Sequence, residues 1–168
     1  MDKYEKTACQ YRMTYDHHTH TIYSHGKGTI EDNVKTAAAK GLSSIAITDH
    51  GPGHLTYGMK MEKIPEMKAE IQRLRDIYPS VRVLLGVEAN TLRVPPYLDI
   101  TEKDKQQLDI LLAGYHFGIL KAGMVPNYIY SRTGAFGSGS SSLLVKNTDM
   151  ILKALYENKI DILTHPGD

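Results

Sequence analysis

Cysteine is all but missing from this 168-residue chain. The one thiol, Cys9, excludes an internal disulfide framework and fits a reducing compartment. A surplus of charge of one sign is missing too. Lys and Arg number 20 against 19 Asp and Glu, a net of +1, so no basic footprint argues for bulk nucleic-acid binding. Long apolar runs are lacking as well. Met1 and the polar residues after it have no apolar stretch behind them, so neither a signal peptide nor a membrane span is expected, and the expected location is cytoplasmic. With 41% hydrophobic and 23% charged residues, the composition suits one globular domain with a real core.

What the chain does have is eight histidines in telling places. Four β-like runs each lead into a metal-ligand residue type. Residues 44–49 run into His50, 81–87 into Glu88, 108–115 into His116 and 160–164 into His165. An earlier run, 13–18, ends in His18-Thr19-His20. Helical signals separate these runs. Thr29, with Asp32 three residues on, reads as the N-cap of a helix through Lys40, and Gly41 stops it. Met67, Ile71, Leu74 and Tyr78 mark one buried face of a helix over 62–78, with Pro65 in its first turn and Pro79 at its end. Gly51-Pro52-Gly53-His54 is a turn, and Pro95-Pro96 an irregular crossover before a short helix at 101–107. Residues 133–142, rich in Gly and Ser, read as a mobile loop. Asn147 or Thr148 caps a last helix running to residue 158. The alternation β-α-β-α-β-α-β-α-β predicts a parallel α/β sheet, whose strand tips gather at one end, where α/β barrels keep their chemistry. One imidazole-rich pocket with a single carboxylate, and so a metal site, is expected there.

On a strand, positions i and i+2 share a face, so His18 and His20 can reach one ion, and Asp16 can orient a ligand from the same side. His17 points the other way and reads as structural. His25 follows on a loop, within reach of a neighbouring ion. Glu88 closes a buried run, where an ionised carboxylate needs cationic compensation. Two ions bridged by its oxygens would supply it; a salt bridge to Arg or Lys is the plainer alternative. Asp49 has two readings, a partner that orients a ligand or the N-cap of the next turn. His54, in a loop at the mouth, could contact substrate, but reads more simply as a solvated loop residue. Lys27, Arg93, Lys121 and Arg132 are candidates for phosphate contacts, although each alone is more simply a solvated charge. Met59, Met61 and Met67 belong to core and surface.

Asp16-His17-His18-Thr19-His20, Ile47-Thr48-Asp49-His50-Gly51-Pro52, Gly86-Val87-Glu88-Ala89-Asn90, Ala113-Gly114-Tyr115-His116 and Thr164-His165-Pro166-Gly167 together resemble the PHP (polymerase and histidinol phosphatase) family. They are most similar to its stand-alone bacterial phosphatases with three metal ions. The resemblance implies a distorted (β/α)7 TIM-like barrel with Zn, or else Mn or Fe, at the strand tips. It implies that His18 and His20 hold a first ion, that Glu88 bridges it to a second completed by His116 and His165, and that His25 and His50 hold a third. The reaction implied is hydrolysis of phosphate monoesters of small molecules (histidinol phosphate, nucleotides or sugar phosphates) by metal-activated hydroxide, with Glu88 and His50 essential. The family's Asp-x-His motif near the C-terminus is absent, and about five βα units are visible where seven are needed. Residues 1–168 therefore read as the N-terminal portion of the barrel, to be completed by a missing C-terminal segment or another chain. The third ion site is expected to be weak, and the chain by itself to be inactive. Two other readings stand beside this one. Amidohydrolases also carry His-x-His on strand one, but commonly bridge their metals with a modified Lys. Some PHP domains attached to polymerases are non-catalytic metal-binding modules.

Overall fold

A computed structural model of the chain describes residues 12–116, 119 and 139–166. Five strands alternate with helices: β1 (Tyr15–Thr19), α1 (Ile30–Ala39), β2 (Ser44–Ile47), α2 (Ile64–Ile77), β3 (Arg82–Asn90), α3 (Glu102–Lys105), β4 (Ile110–Gly114), α4 (Gly139–Glu157) and β5 (Ile162–Thr164). All neighbouring strands are parallel, and the sheet runs in chain order from β1 to β5. This is the parallel α/β sheet that the alternation predicts, in the part-barrel that the resemblance implies.

Local chemistry sets the elements. Thr29 caps α1 through a reciprocal box: its hydroxyl accepts the Asp32 amide at 3.1 Å, and the Asp32 carboxylate accepts the Thr29 amide at 2.9 Å. Ile30, Val34 and Ala37 of α1 are buried beside Ile64, Met67, Ile71 and Leu74 of α2. Val83, Leu85, Val87 and Ala89 of β3 join this core under the helices. Strand alternation therefore sends Leu84, Gly86, Glu88 and Asn90 to the opposite, concave face.

β3 is the pivot of the sheet. Its first half, Arg82 to Leu85, pairs with β2, whereas its second half, Gly86 to Asn90, pairs with β4. That stagger belongs to barrels. Four inter-strand steps of about 4.8 Å would hold the edges of a flat sheet about 19 Å apart. Yet the ring of His18 on β1 lies 5.8 Å from that of His165, just beyond β5. The sheet is curled, and its strand tips converge.

Two expectations need correction. β3 runs on to Asn90, so Glu88 lies within the strand and not past its end. α4 begins at Gly139, so residues 139–142 are helical, and Asn147 and Thr148 lie inside the helix instead of capping it. Met150 and Ile151, buried against Tyr115 and Leu163, anchor α4, and propagation from an anchored segment carries weak helix formers along. Cys9, Lys121, Arg132 and residues 133–138 lie outside the described residues. Among the described residues, no helix is long and apolar enough to cross a membrane.

Candidate metal centre

Glu88 is 0% exposed on the concave face, and five imidazoles surround its carboxylate. Oε1 lies 3.2 Å from His18 Nε2, 3.4 Å from His116 Nε2 and 2.9 Å from His165 Nε2. Oε2 lies 3.1 Å from His50 Nδ1 and 3.5 Å from His20 Nε2. The Thr164 hydroxyl donates to Oε1 at 2.6 Å and fixes the carboxylate from below. No Lys or Arg pairs with Glu88 among the described residues, so the salt-bridge alternative finds no partner there. Burial alone would push the carboxyl up, but the close approach of His116, His18, His50 and Thr164 outweighs it and holds Glu88 far below the ordinary carboxylate range.

The donor set fits metal ions. Glu88 Oε2, His50 Nδ1 and both ring nitrogens of His116 are buried without a hydrogen bond. His50 Nδ1 and Glu88 Oε2 nevertheless sit 3.1 Å apart. Buried imidazole nitrogens and a carboxylate oxygen this close to one another are a donor set that a divalent cation fits. Three overlapping groups bring their ligand atoms within 4.8 Å of one another: His18, Glu88 and His165; His50, Glu88 and His116; and His20, His25 and His50. All seven sequence-selected residues fall in these groups. His20 stands among them: its ring centroid is 4.5 Å from those of His25 and His50, and its Nε2 is 3.2 Å from His18 Nε2.

The loop after β1 is held from β2. Asp49, fully buried, accepts the Thr21 amide and the Thr21 hydroxyl, each at 2.7 Å, and the Ser24 hydroxyl. Ser24 in turn lies 3.5 Å from His20 Nδ1. Asp49 thus holds the loop that carries His20 and His25 and hydrogen-bonds neither ring directly. Burial, then the neighbouring His50, lowers the pKa of His20 to about 3 and also lowers that of His25. The hydrogen bond with Glu88 instead raises that of His18. His20 and His25 are thus kept neutral, the form that binds metal.

Other expectations fare unevenly. His17 turns away and meets the Ser44 hydroxyl at 2.9 Å, a structural role. Asp16 accepts the His18 backbone amide at 3.2 Å and not its imidazole. His54 is not a solvated loop residue. Its ring packs 5.2 Å from His50 and 6.0 Å from His116, and burial, then those imidazoles, lowers its pKa to about 4. The Tyr57 amide donates to its Nδ1 at 3.1 Å, which leaves the proton of the neutral ring on Nε2. Lys27 is exposed, and Arg93 reaches Asn147 at 3.3 Å. Sequence reading missed Asp99. Its carboxylate accepts the Asn90 amide and side chain and the Gly53 amide, and so ties the turn after His50 to the end of β3. A Cβ on Gly51 would fall 2.4 Å from Asp99 Oδ1, so the glycine is a matter of room.

Comparison with known proteins agrees with this geometry. A family model described as the PHP domain matches residues 16–164. A protein named probable phosphatase from Caldanaerobacter subterraneus subsp. tengcongensis is 32% identical over 169 residues, covering 97% of this chain and 56% of its own. Another of that name from Proteus mirabilis is 30% identical over 159 residues, covering 91% and 53%. The chain thus spans about half the length of the curated relatives it matches. A solved structure from Listeria monocytogenes, named as a candidate histidinol phosphatase, superposes with a TM-score of 0.50 at 20% identity, over 61% of this chain and 45% of that one. That likeness is one of fold.

Proposed function

The chain belongs to the PHP domain family, and on that footing we propose that its histidine-lined centre serves the metal-dependent hydrolysis of phosphate monoesters of small molecules. One observation carries the reading: a fully buried glutamate whose neighbours are imidazole nitrogens, several of them without hydrogen bonds. When bound, divalent ions of the Zn, Mn or Fe type supply an activated water at neutral pH and neutralise charge on the phosphoryl oxygens.

The chain's own residues do the rest. Glu88 offers an oxygen to each of two ligand groups. Thr164 keeps that carboxylate from rotating, because its hydroxyl donates to one oxygen only. His18, His116 and His165 approach one oxygen of Glu88, His50 and His20 the other. Asp49 and Ser24 hold the loop that presents His20 and His25. His54, with its Nε2 proton, is a hydrogen-bond donor at the rim. We place this activity in the cytoplasm, which a chain with a single cysteine suits.

The test is hydrolysis of p-nitrophenyl phosphate by the metal-loaded full-length polypeptide, beside a panel of cyclic amides. Glu88→Ala and His50→Ala are expected to lower kcat/KM by at least about 100-fold, the scale on which electrostatic stabilisation acts. Unchanged rates in both variants, or turnover of the amides alone, would end the phosphoesterase reading.

A further inference from the structure

A cavity of about 520 Å³ lies between the turn after β2 and the loop after β3, lined by Pro52, Leu55, Leu92, Val94, Leu98 and Ile100 among others. Its size is that of a small-molecule site. The two loops leave adjacent strands at the ends that carry His50 and Glu88, so the cavity opens beside the centre. His54 joins the two: it lines the cavity, and its ring stands 5.2 Å from that of His50. The lining is chiefly apolar. Its one carboxylate among the described residues, Asp99, is already engaged by Asn90 and by the Gly53 amide. The Thr101 hydroxyl is bound to Asp104 in the cap of α3. Among the described residues no Lys, Arg or Glu lines it, so none of them answers a carboxylate, a second phosphate or an ammonium group.

We infer that this cavity is the leaving-group subsite of the centre, and that the preferred substrates are phosphate monoesters of uncharged, apolar alcohols, aryl esters foremost. The inference rests on the phosphoesterase reading above and narrows it. A flat apolar ring gains by burial against these side chains. A sugar or nucleoside would leave hydroxyls unpaired on the same wall, and histidinol would bring an ammonium group with no free anion among the described residues to meet it.

The experiment uses the full-length, Zn- or Mn-loaded polypeptide with 1-naphthyl phosphate, glucose 6-phosphate and histidinol phosphate. Free 1-naphthol is followed in parallel by saturation-transfer NMR. Val94→Asp is the variant, because Val94 is 52% exposed and a charge there enters the cavity without disturbing the core. Expected are a kcat/KM for the naphthyl ester at least about 10-fold above the other two, and a loss of about 10-fold or more for that ester in Val94→Asp, carried by KM. The naphthol signal should weaken in the variant while inhibition by inorganic phosphate persists. Equal efficiency on all three esters, or naphthol binding untouched by Val94→Asp, overturns the subsite alone. Failure to hydrolyse any of the three overturns the phosphoesterase reading, and the naphthol signal then reports separately whether the cavity takes apolar alcohols.

Discussion

Gly114 shows how tightly the centre is built. A Cβ there would fall 2.6 Å from His116 Cε1, 2.7 Å from Thr164 Oγ1 and 2.8 Å from Glu88 Oε1, so β4 offers the glutamate a bare backbone. Glu88 enters two of the three ligand groups, whereas His25 enters one. Glu88→Gln is therefore expected to release the ions of both its groups, and His25→Ala no more than one per chain; elemental analysis of the purified proteins distinguishes the two. The imidazoles also set a pH dependence. His20 and His54 have pKa values lowered from 6.5 to about 3 and about 4. The unfolded chain takes up protons below 6.5 where these two do not, so their stabilisation is complete above 6.5 and is lost as the pH falls toward 4 and 3. His18, raised by Glu88, acts in the opposite sense, stabilising at low pH and ceasing to do so as the pH rises through its folded value. The metal-free protein should accordingly show a falling Tm between pH 6.5 and 4, and His54→Gln should flatten part of that slope.

Among the elements, the turn after β2 depends most on a single side chain. Asp99 receives three donors from Asn90 and Gly53, although burial pushes its carboxyl above the ordinary range. Asp99→Ala is expected to lower stability by about 1–3 kcal/mol, since buried donors lose their acceptor. Hydrogen exchange should quicken at 51–58 more than in β3. The strands were legible because apolar runs ended in residues with no packing reason to be there. The capping box of Thr29 was legible because it is local. Asp99 was not, since the amide of Gly53 lies 46 positions earlier and no periodicity links the two. His54 was misread for a related cause: a turn has no period from which to tell which way a ring faces. The start of α4 escaped because propensity at Gly139 and the serines after it opposes a helix that packing further along sustains.

For the whole molecule, metal binding of the kind proposed would be coupled to folding. The candidate ligands come from all five strands or the loops that follow them, so an ion would find them assembled in the folded chain and not in the unfolded one. Free Zn at about 100 times its dissociation constant is expected to add about 2.7 kcal/mol to unfolding, measured as a rise in Tm that chelation reverses. Six of the seven ligand positions could be picked from sequence because strand-like runs lead into them; His25, on a loop, followed from its nearness to His20. How closely their rings approach one another was not legible, because that depends on how far the sheet bends.

The curl brings His18 and His165 to the same carboxylate from the outermost strands. An ion held by them with Glu88 is a clasp across the open side of the sheet. Its affinity doubles as a gauge of curvature: any change that flattens the strands between, however far from the centre, registers first as a loosened cation.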